Sequence, residues 1–296
     1  MLVLALTGDI GAGKSTLGAL WREEGAQVWD ADILAREAWE LPELRAQLRE
    51  RWGDAIFSPG GPLDRRALGE RLFADEESYR WGCDRVHPPV IKALEERVRE
   101  SRRGWVVVEI PLLFEVGVPS WVDGVVYVGA PERRREEWNA HRRLAGADLA
   151  QRQRWLLPEG VKRSRAQVVL ENDGDMESFV AEGRRLGHRF RRMASAVELR
   201  GVWAEEAEAR RLGRELVEAR LGARVSVAEE GRILRRKGTV VEERGWAVTV
   251  TTLEELVGAA MERWGLSSSG APDAVTVLPR GRSPWEELVE IEENCR

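Results

Sequence analysis

Leu2-Val3-Leu4-Ala5-Leu6-Thr7-Gly8-Asp9-Ile10-Gly11-Ala12-Gly13-Lys14-Ser15-Thr16 runs from an apolar segment straight into the pattern G-x-x-x-x-G-K-S. Gly8 to Ser15 occupy every fixed position of a phosphate loop, and Gly11 and Gly13 let the backbone curl so that successive N–H groups face a phosphate. A helix opening near Lys14 adds the positive end of its dipole. Gly8, Gly11, Ala12, Gly13, Lys14, Ser15 and Thr16 are therefore the expected nucleotide contacts. Lys14 suits the β- and γ-phosphates, and the Ser15 hydroxyl suits a Mg²⁺ ion. A glycine-rich turn ahead of a helix is the plainer alternative. The five apolar residues before the loop, and Leu17, Leu20 and Trp21 on one helix face after it, supply the strand–loop–helix setting a phosphate loop requires.

The chain has 296 residues, enough for two domains with their own cores, and a formal net charge of -5. That balance gives no support for a nucleic-acid or anionic-membrane partner, which usually leave a basic excess. The two cysteines, Cys83 and Cys295, have no C-x-x-C companion and suggest neither a disulfide framework nor a zinc site. No apolar run approaches the ~20 residues of a membrane span, and the first residues lack the charged flank of a signal peptide, so a cytoplasmic protein is expected. The thirteen tryptophans are scattered singly among charged helices and read as core fillers.

Strands alternate with helices from the start, which predicts a parallel sheet covered on both faces. Candidate strands are Leu2–Leu6, Ala26–Trp29, Trp105–Ile110, Gly124–Val128 and Val168–Leu170. Between the second and third lies a helical insert, about Ala31 to Arg103, broken by Ser58-Pro59-Gly60-Gly61-Pro62 and by His87-Pro88-Pro89. Inserts of this size commonly hold a second substrate. An Arg-rich stretch, Arg133 to Arg154, follows the fourth strand, and an amphipathic helix runs from Asp175 to about Arg192. The pattern changes at Met193-Ala194-Ser195-Ala196, giving domains 1–193 and 196–296. Beyond it, strands Ala196–Val202, Ala223–Ala228, Ile233–Val241, Trp246–Thr251 and Ala274–Leu278, with helices Glu205–Arg220 and Leu253–Trp264, suggest a ferredoxin-like α+β domain.

Asp30-Ala31-Asp32 stands at the end of the second strand, where doubly wound folds hold their ligands. One carboxylate there could take the proton of an attacking hydroxyl while the other holds a substrate hydroxyl or metal-bound water. Asp is equally at home as a helix N-cap, and on spacing alone both readings stand.

Thr7-Gly8 with Gly13-Lys14-Ser15-Thr16, Asp30-Ala31-Asp32-Ile33-Leu34-Ala35-Arg36, Gly61-Pro62-Leu63-Asp64-Arg65-Arg66-Ala67-Leu68, Phe73, His87-Pro88 and Pro111-Leu112-Leu113-Phe114-Glu115 together resemble the successive signatures of dephospho-CoA kinase over residues 1 to about 192. The resemblance implies a P-loop NTPase sheet with a helical insert, and transfer of the ATP γ-phosphate to the ribose 3′-hydroxyl of dephospho-CoA with ATP and Mg²⁺. On it, Asp32 is the catalytic base, with Lys14 beside it. Asp30, Arg65, His87 and Glu115 line the acceptor site, and the Arg-rich stretch is a lid. Arg65 is well suited to a phosphate. From the residues themselves His87 reads more readily as a satisfied imidazole at a helix break than as a substrate contact, and Glu115 could cap or pair locally, though its place just past a buried strand also puts it near the crevice. In the lid, Glu137-Trp138-Asn139-Ala140-His141-Arg142-Arg143, Leu156 and Ala166-Gln167 depart from the family's Arg-x-x-x-Arg-Asp, Gln and Ala-Asp; Arg142 or Arg143 could still cover the ATP phosphates.

Residues from about 196 to 293 resemble the CutA-like divalent-cation-tolerance family, through Arg214 to Val225, Ile233 to Gly238, Val248 to Thr252 and Pro284-Trp285. That resemblance implies a homo-oligomer, a trimer formed by pairing long hairpin strands. The family's Cys is Arg224 here and its His is missing from Leu266-Ser267-Ser268-Ser269, so a soft-metal site has lost its ligands. An assembly or regulatory module is the expectation. Two readings compete with an active dephospho-CoA kinase: a degenerate kinase that binds ATP or coenzyme A as a sensor or scaffold, and a kinase of the same group for another small metabolite.

Overall fold

The computed structural model describes residues 1–58, 61–101, 104–135, 155–236, 239–265 and 275–295. The chain divides into two compact units, one of Val3–Arg185 and one of Met1–Leu2 with Leu186–Arg296. The division falls inside the helix Met176–Ala194.

In the first unit a five-stranded sheet has the order β2-β3-β1-β4-β5, with β1 Leu2–Gly8, β2 Gln27–Asp30, β3 Trp105–Glu109, β4 Gly124–Gly129 and β5 Val168–Glu171. Strand β1 runs parallel to β4, β2 to β3 and β4 to β5. Strands β1, β3 and β4 are buried at every position, as near-continuous apolar runs in a two-sided sheet must be. The register sets Gly8 beside Val128, Asp30 beside Glu109 and Gly129 beside Glu171, so the carboxyl ends form one rim. Helix α1 (Lys14–Glu23) follows β1, and α2 (Ala31–Ala38) follows β2. The insert continues through α3 (Pro42–Trp52), α4 (Arg65–Leu72) and α5 (Glu76–Glu100).

Contrary to expectation, His87-Pro88-Pro89 does not break the insert: α5 passes through both prolines as one 25-residue helix. Each proline forfeits a backbone hydrogen bond and costs roughly 3 kcal/mol in a helix interior. The buried stripe Ser78, Gly82, Val86, Val90, Leu94 and Val98 keeps a four-residue spacing across them, and the packing of that face outweighs the loss.

In the second unit the order β7-β8-β6-β9 is that of a ferredoxin-like sheet, with β6 Ala196–Trp203, β7 Arg224–Arg236, β8 Thr239–Leu253 and β9 Val275–Pro279, all pairs antiparallel. Leu199, Trp203, Val248 and Val250 from the sheet meet Ala209, Leu212 and Leu216 of the helix Glu206–Glu218, together with Ala260 and Trp264. Sequence reading divides the hairpin into three strands with a turn after Val241, whereas β7 and β8 pair without interruption from Arg224 opposite Thr251 to Arg236 opposite Thr239. The charged segments that suggest turns lie within the strands. Arg232 faces Glu243 at 3.7 Å and Arg244 reaches Glu229 diagonally at 3.6 Å, so opposite charges meet across the pair.

Candidate active site

The loop between β1 and α1 takes the form its glycines dictate. Gly8 has φ 142°, and a Cβ there would stand 2.1 Å from the Val128 carbonyl oxygen, so only glycine lets the loop leave β1 against β4. Gly13, at φ 106°, is the N-cap of α1. Asn172, just past β5, donates from Nδ2 to the carbonyl of Ala12 at 2.9 Å and fastens the loop from behind. Lys14 is buried, and its ammonium donates to the carbonyls of Gly8 (3.1 Å) and Asp9 (2.9 Å). Burial depresses its pKa, and the charges of Glu109, Asp32 and Asp9 act in the opposite sense. Ser15 and Thr16 are exposed on the first turn of α1.

Glu109 ends β3 in the next position of the rim, and the Ser15 hydroxyl donates to its Oε1 at 3.3 Å. Burial raises its carboxyl pKa, while Lys14 draws it down. Sequence reading passed over this residue. The available signal was an acidic side chain at the carboxyl end of an otherwise apolar strand. A hydroxyl and a carboxylate side by side are hard oxygen donors and fit Mg²⁺, which needs only one or two protein ligands when nucleotide phosphates supply others.

Asp30 and Asp32 have different surroundings. Asp30 is the N-cap of α2, its Oδ1 accepting from the Asp32 N–H at 2.7 Å. That arrangement leaves Asp32 on the first helical turn with an exposed side chain. Asp32 also borders a cavity of about 160 Å³ between α2, α5 and the segment after β3, lined mainly by apolar residues with His87 and Cys83 among them. Burial lowers the His87 pKa, which favours a neutral imidazole. Glu115 follows β3 in α6 (Leu113–Val116), pairs with Lys162 at 2.8 Å and accepts from the Leu157 N–H at 3.0 Å. The local-pairing reading of Glu115 thus describes its contacts, though it also borders a second, larger cavity with His87 and Trp155. Arg65 is the exposed first residue of α4, next to its cap Asp64, and does not line either cavity. Arg142 and Arg143 lie outside the described residues, as does the stretch 266–269. Gln167, where the sequence departs from the Ala-Asp pattern, accepts from the Val125 N–H at 2.8 Å and so serves the sheet.

The rim thus gathers an ammonium at a phosphate loop, a hydroxyl–carboxylate pair and an exposed carboxylate beside an apolar cavity. This set can bind a polyphosphate and accept a proton from an incoming hydroxyl.

A family model described as dephospho-CoA kinase matches residues 2–178. The dephospho-CoA kinase of Anaeromyxobacter dehalogenans is 40% identical over 211 residues, which span 68% of this chain and 100% of that one. A crystal structure of a Thermus thermophilus protein, TT1252, is similar at 37% identity with a TM-score of 0.54, covering 63% of this chain and 97% of its own. A divalent cation tolerance protein of Thermus thermophilus aligns at 25% identity and a TM-score of 0.32 with 34% of this chain and 99% of its own.

Proposed function

The chain belongs to the dephospho-CoA kinase family and is an ATP-dependent kinase; on that premise we propose that it transfers the γ-phosphate of ATP to the ribose 3′-hydroxyl of dephospho-CoA, giving coenzyme A and ADP. The observation that carries this reading is the rim itself, where Asp32 borders an apolar cavity and its charge acts on Lys14 of the phosphate loop. Lys14 and the loop N–H groups hold the β- and γ-phosphates, with Gly8, Gly11, Ala12, Gly13, Ser15 and Thr16 forming the cradle. Ser15 and Glu109 would hold Mg²⁺, which supplies charge neutralisation between the phosphates. Asp32 takes the acceptor proton, and Asp30 positions Asp32 by capping its helix. His87 and the apolar wall receive the acceptor, Glu115 borders the adjoining cavity that His87 also lines, and Arg65, Arg142 and Arg143 meet phosphate oxygens of the two substrates.

We take residues 1–193 as the kinase domain and 196–296 as an assembly or regulatory module that joins chains, as a trimer, through the β7–β8 hairpin. Exposed apolar side chains at the two sheet edges support that reading: Ile233 on β7, Val240 on the β8 end paired with it, and Val277 and Leu278 on β9. Free thiols at Cys83 and Cys295, and the lack among the described residues of a helix long and apolar enough to cross a membrane, fit work in the cytoplasm.

The test is ADP release by the full chain with Mg²⁺-ATP, with and without dephospho-CoA, and identification of coenzyme A by mass. Acceptor-dependent turnover of order 1 s⁻¹ is expected, and Asp32→Asn lowers it at least ~100-fold with ATP binding kept. Binding of ATP or coenzyme A without turnover would instead make the chain a sensor or scaffold.

A further inference from the structure

The phosphate loop carries an acid of its own. Asp9 follows Gly8 directly, its backbone carbonyl accepts from the Lys14 ammonium, and its carboxylate charge reaches Lys14. A polyphosphate held at Lys14 experiences the same negative charge, which opposes its binding. The side chain is also nearly buried, at 11% exposure, and burial makes ionisation harder. A carboxylate in this position needs compensation.

Two groups fix or neutralise it directly, Tyr127 and Arg135, and Lys162 adds a weaker attraction. The Tyr127 hydroxyl on β4 donates to Asp9 Oδ1 at 2.7 Å and sets the direction of the carboxylate. Oδ2 has no hydrogen-bond partner among the described residues, and the cation that faces it is Arg135, six residues beyond the end of β4, at 3.8 Å. Arg135 is itself 8% exposed, and its Nε is buried with no hydrogen-bond partner among the described residues. Its second ion-pair partner is Glu159, at 3.9 Å. A solvated pair at such distances would contribute little. With both side chains about nine-tenths buried, removing one partner strands the charge of the other.

We infer that Arg135 is a positioning residue for ATP binding, acting through Asp9: its guanidinium neutralises the carboxylate of the phosphate loop, so that a nucleotide polyphosphate can enter beside Lys14. Tyr127 holds Asp9 in place for this pairing, and the segment after β4 is thereby coupled to the loop electrostatically. The inference rests on the loop holding ATP.

The experiment is equilibrium binding of Mg²⁺-ATP to the full chain by calorimetry, with thermal unfolding of each variant without nucleotide. Arg135→Gln is expected to weaken ATP binding by about tenfold or more. Adding Asp9→Asn in the same chain is expected to restore affinity to within about threefold of wild type, because the charge that Arg135 compensates is then gone. Arg135→Lys, which keeps the charge, rescues most of the affinity and guards against a folding defect in the Gln variant. A purely structural Arg135 would lower the unfolding midpoint while leaving the affinity of the folded fraction unchanged, and that result overturns the inference. So does a double variant as weak as Arg135→Gln, which would mean that the guanidinium touches the nucleotide itself. Absence of ATP binding by the wild-type chain would overturn the reading of the loop, and this inference with it.

Discussion

The two sheets use their residues differently. In the parallel sheet the strand interiors are apolar and buried, and the polar side chains collect at the carboxyl ends, where Asp30, Glu109 and the loop after Gly8 share one rim. In the antiparallel sheet, charged side chains are spread along the strands, as in Arg232 opposite Glu243 and Arg244 diagonal to Glu229, and apolar ones such as Ile233 are left outside. The first arrangement concentrates polar groups at a point. The second spreads charge pairs and exposed apolar side chains over a surface.

The sharpest way to break this contrast is Lys14→Met. The contrast requires that one buried ammonium on the rim be indispensable, and turnover should fall by about 10³-fold or more, since the charge held at the transferring phosphate is lost while the fold is kept. Steady-state ADP release with circular dichroism on the same sample measures both. Retention of a tenth of the wild-type rate would remove the loop from the chemistry and the rim from its special place.

A smaller effect is expected from the other sheet. Ile233 is 72% exposed and Val240 58%, so neither supports the core. Ile233→Asp combined with Val240→Asp should leave stability within about 0.5 kcal/mol and turnover unchanged, yet lower the mass seen by sedimentation equilibrium from that of an assembly to that of a single chain. An unchanged mass would place the contact between chains elsewhere, and a loss of turnover would show that contact and chemistry are not separable.

Much of the parallel sheet was legible because its signals are local: an apolar run, a phosphate loop and a helix in immediate succession. The ends of β1 to β5 fall within two residues of the expected strand ends. Asp30 illustrates the limit. Its suitability as an N-cap and as a carboxylate of the site could not be separated by spacing, and only the 2.7 Å bond to the Asp32 N–H assigns it to the cap. The α5 prolines misled because a local breaker signal competes with a buried stripe on which sequence places no weight. The β7–β8 hairpin misled because cross-strand pairing of Arg and Glu converts what reads as a turn into a strand interior. Asp9, Glu109 and Arg135 escaped notice for a related reason: each gains its meaning from a partner distant in sequence, as Glu109 does from Ser15.

The subtlest test of the contrast concerns what the rim costs the fold. Burial pushes the Glu109 carboxyl above the usual carboxylate range, and the attraction of Lys14 does not cancel it. A group whose pKa is higher in the folded chain than in the unfolded one binds its proton more tightly when folded. Its contribution to stability is therefore complete below the unfolded value and declines as pH rises through the folded value. At neutral pH the ionised Glu109 thus works against folding, and Glu109→Gln, which resembles the protonated form at every pH, should raise the unfolding midpoint at pH 8. The advantage should close as pH falls through the carboxylate range, where wild-type Glu109 acquires its own proton. Turnover should drop at all these values, because the oxygen beside Ser15 has lost its charge. Thermal unfolding of both proteins between pH 4 and 8 reads the difference directly. A midpoint lowered at pH 8 would mean that the pairing with Lys14 and Ser15 outweighs burial, and that the rim stabilises the sheet it belongs to.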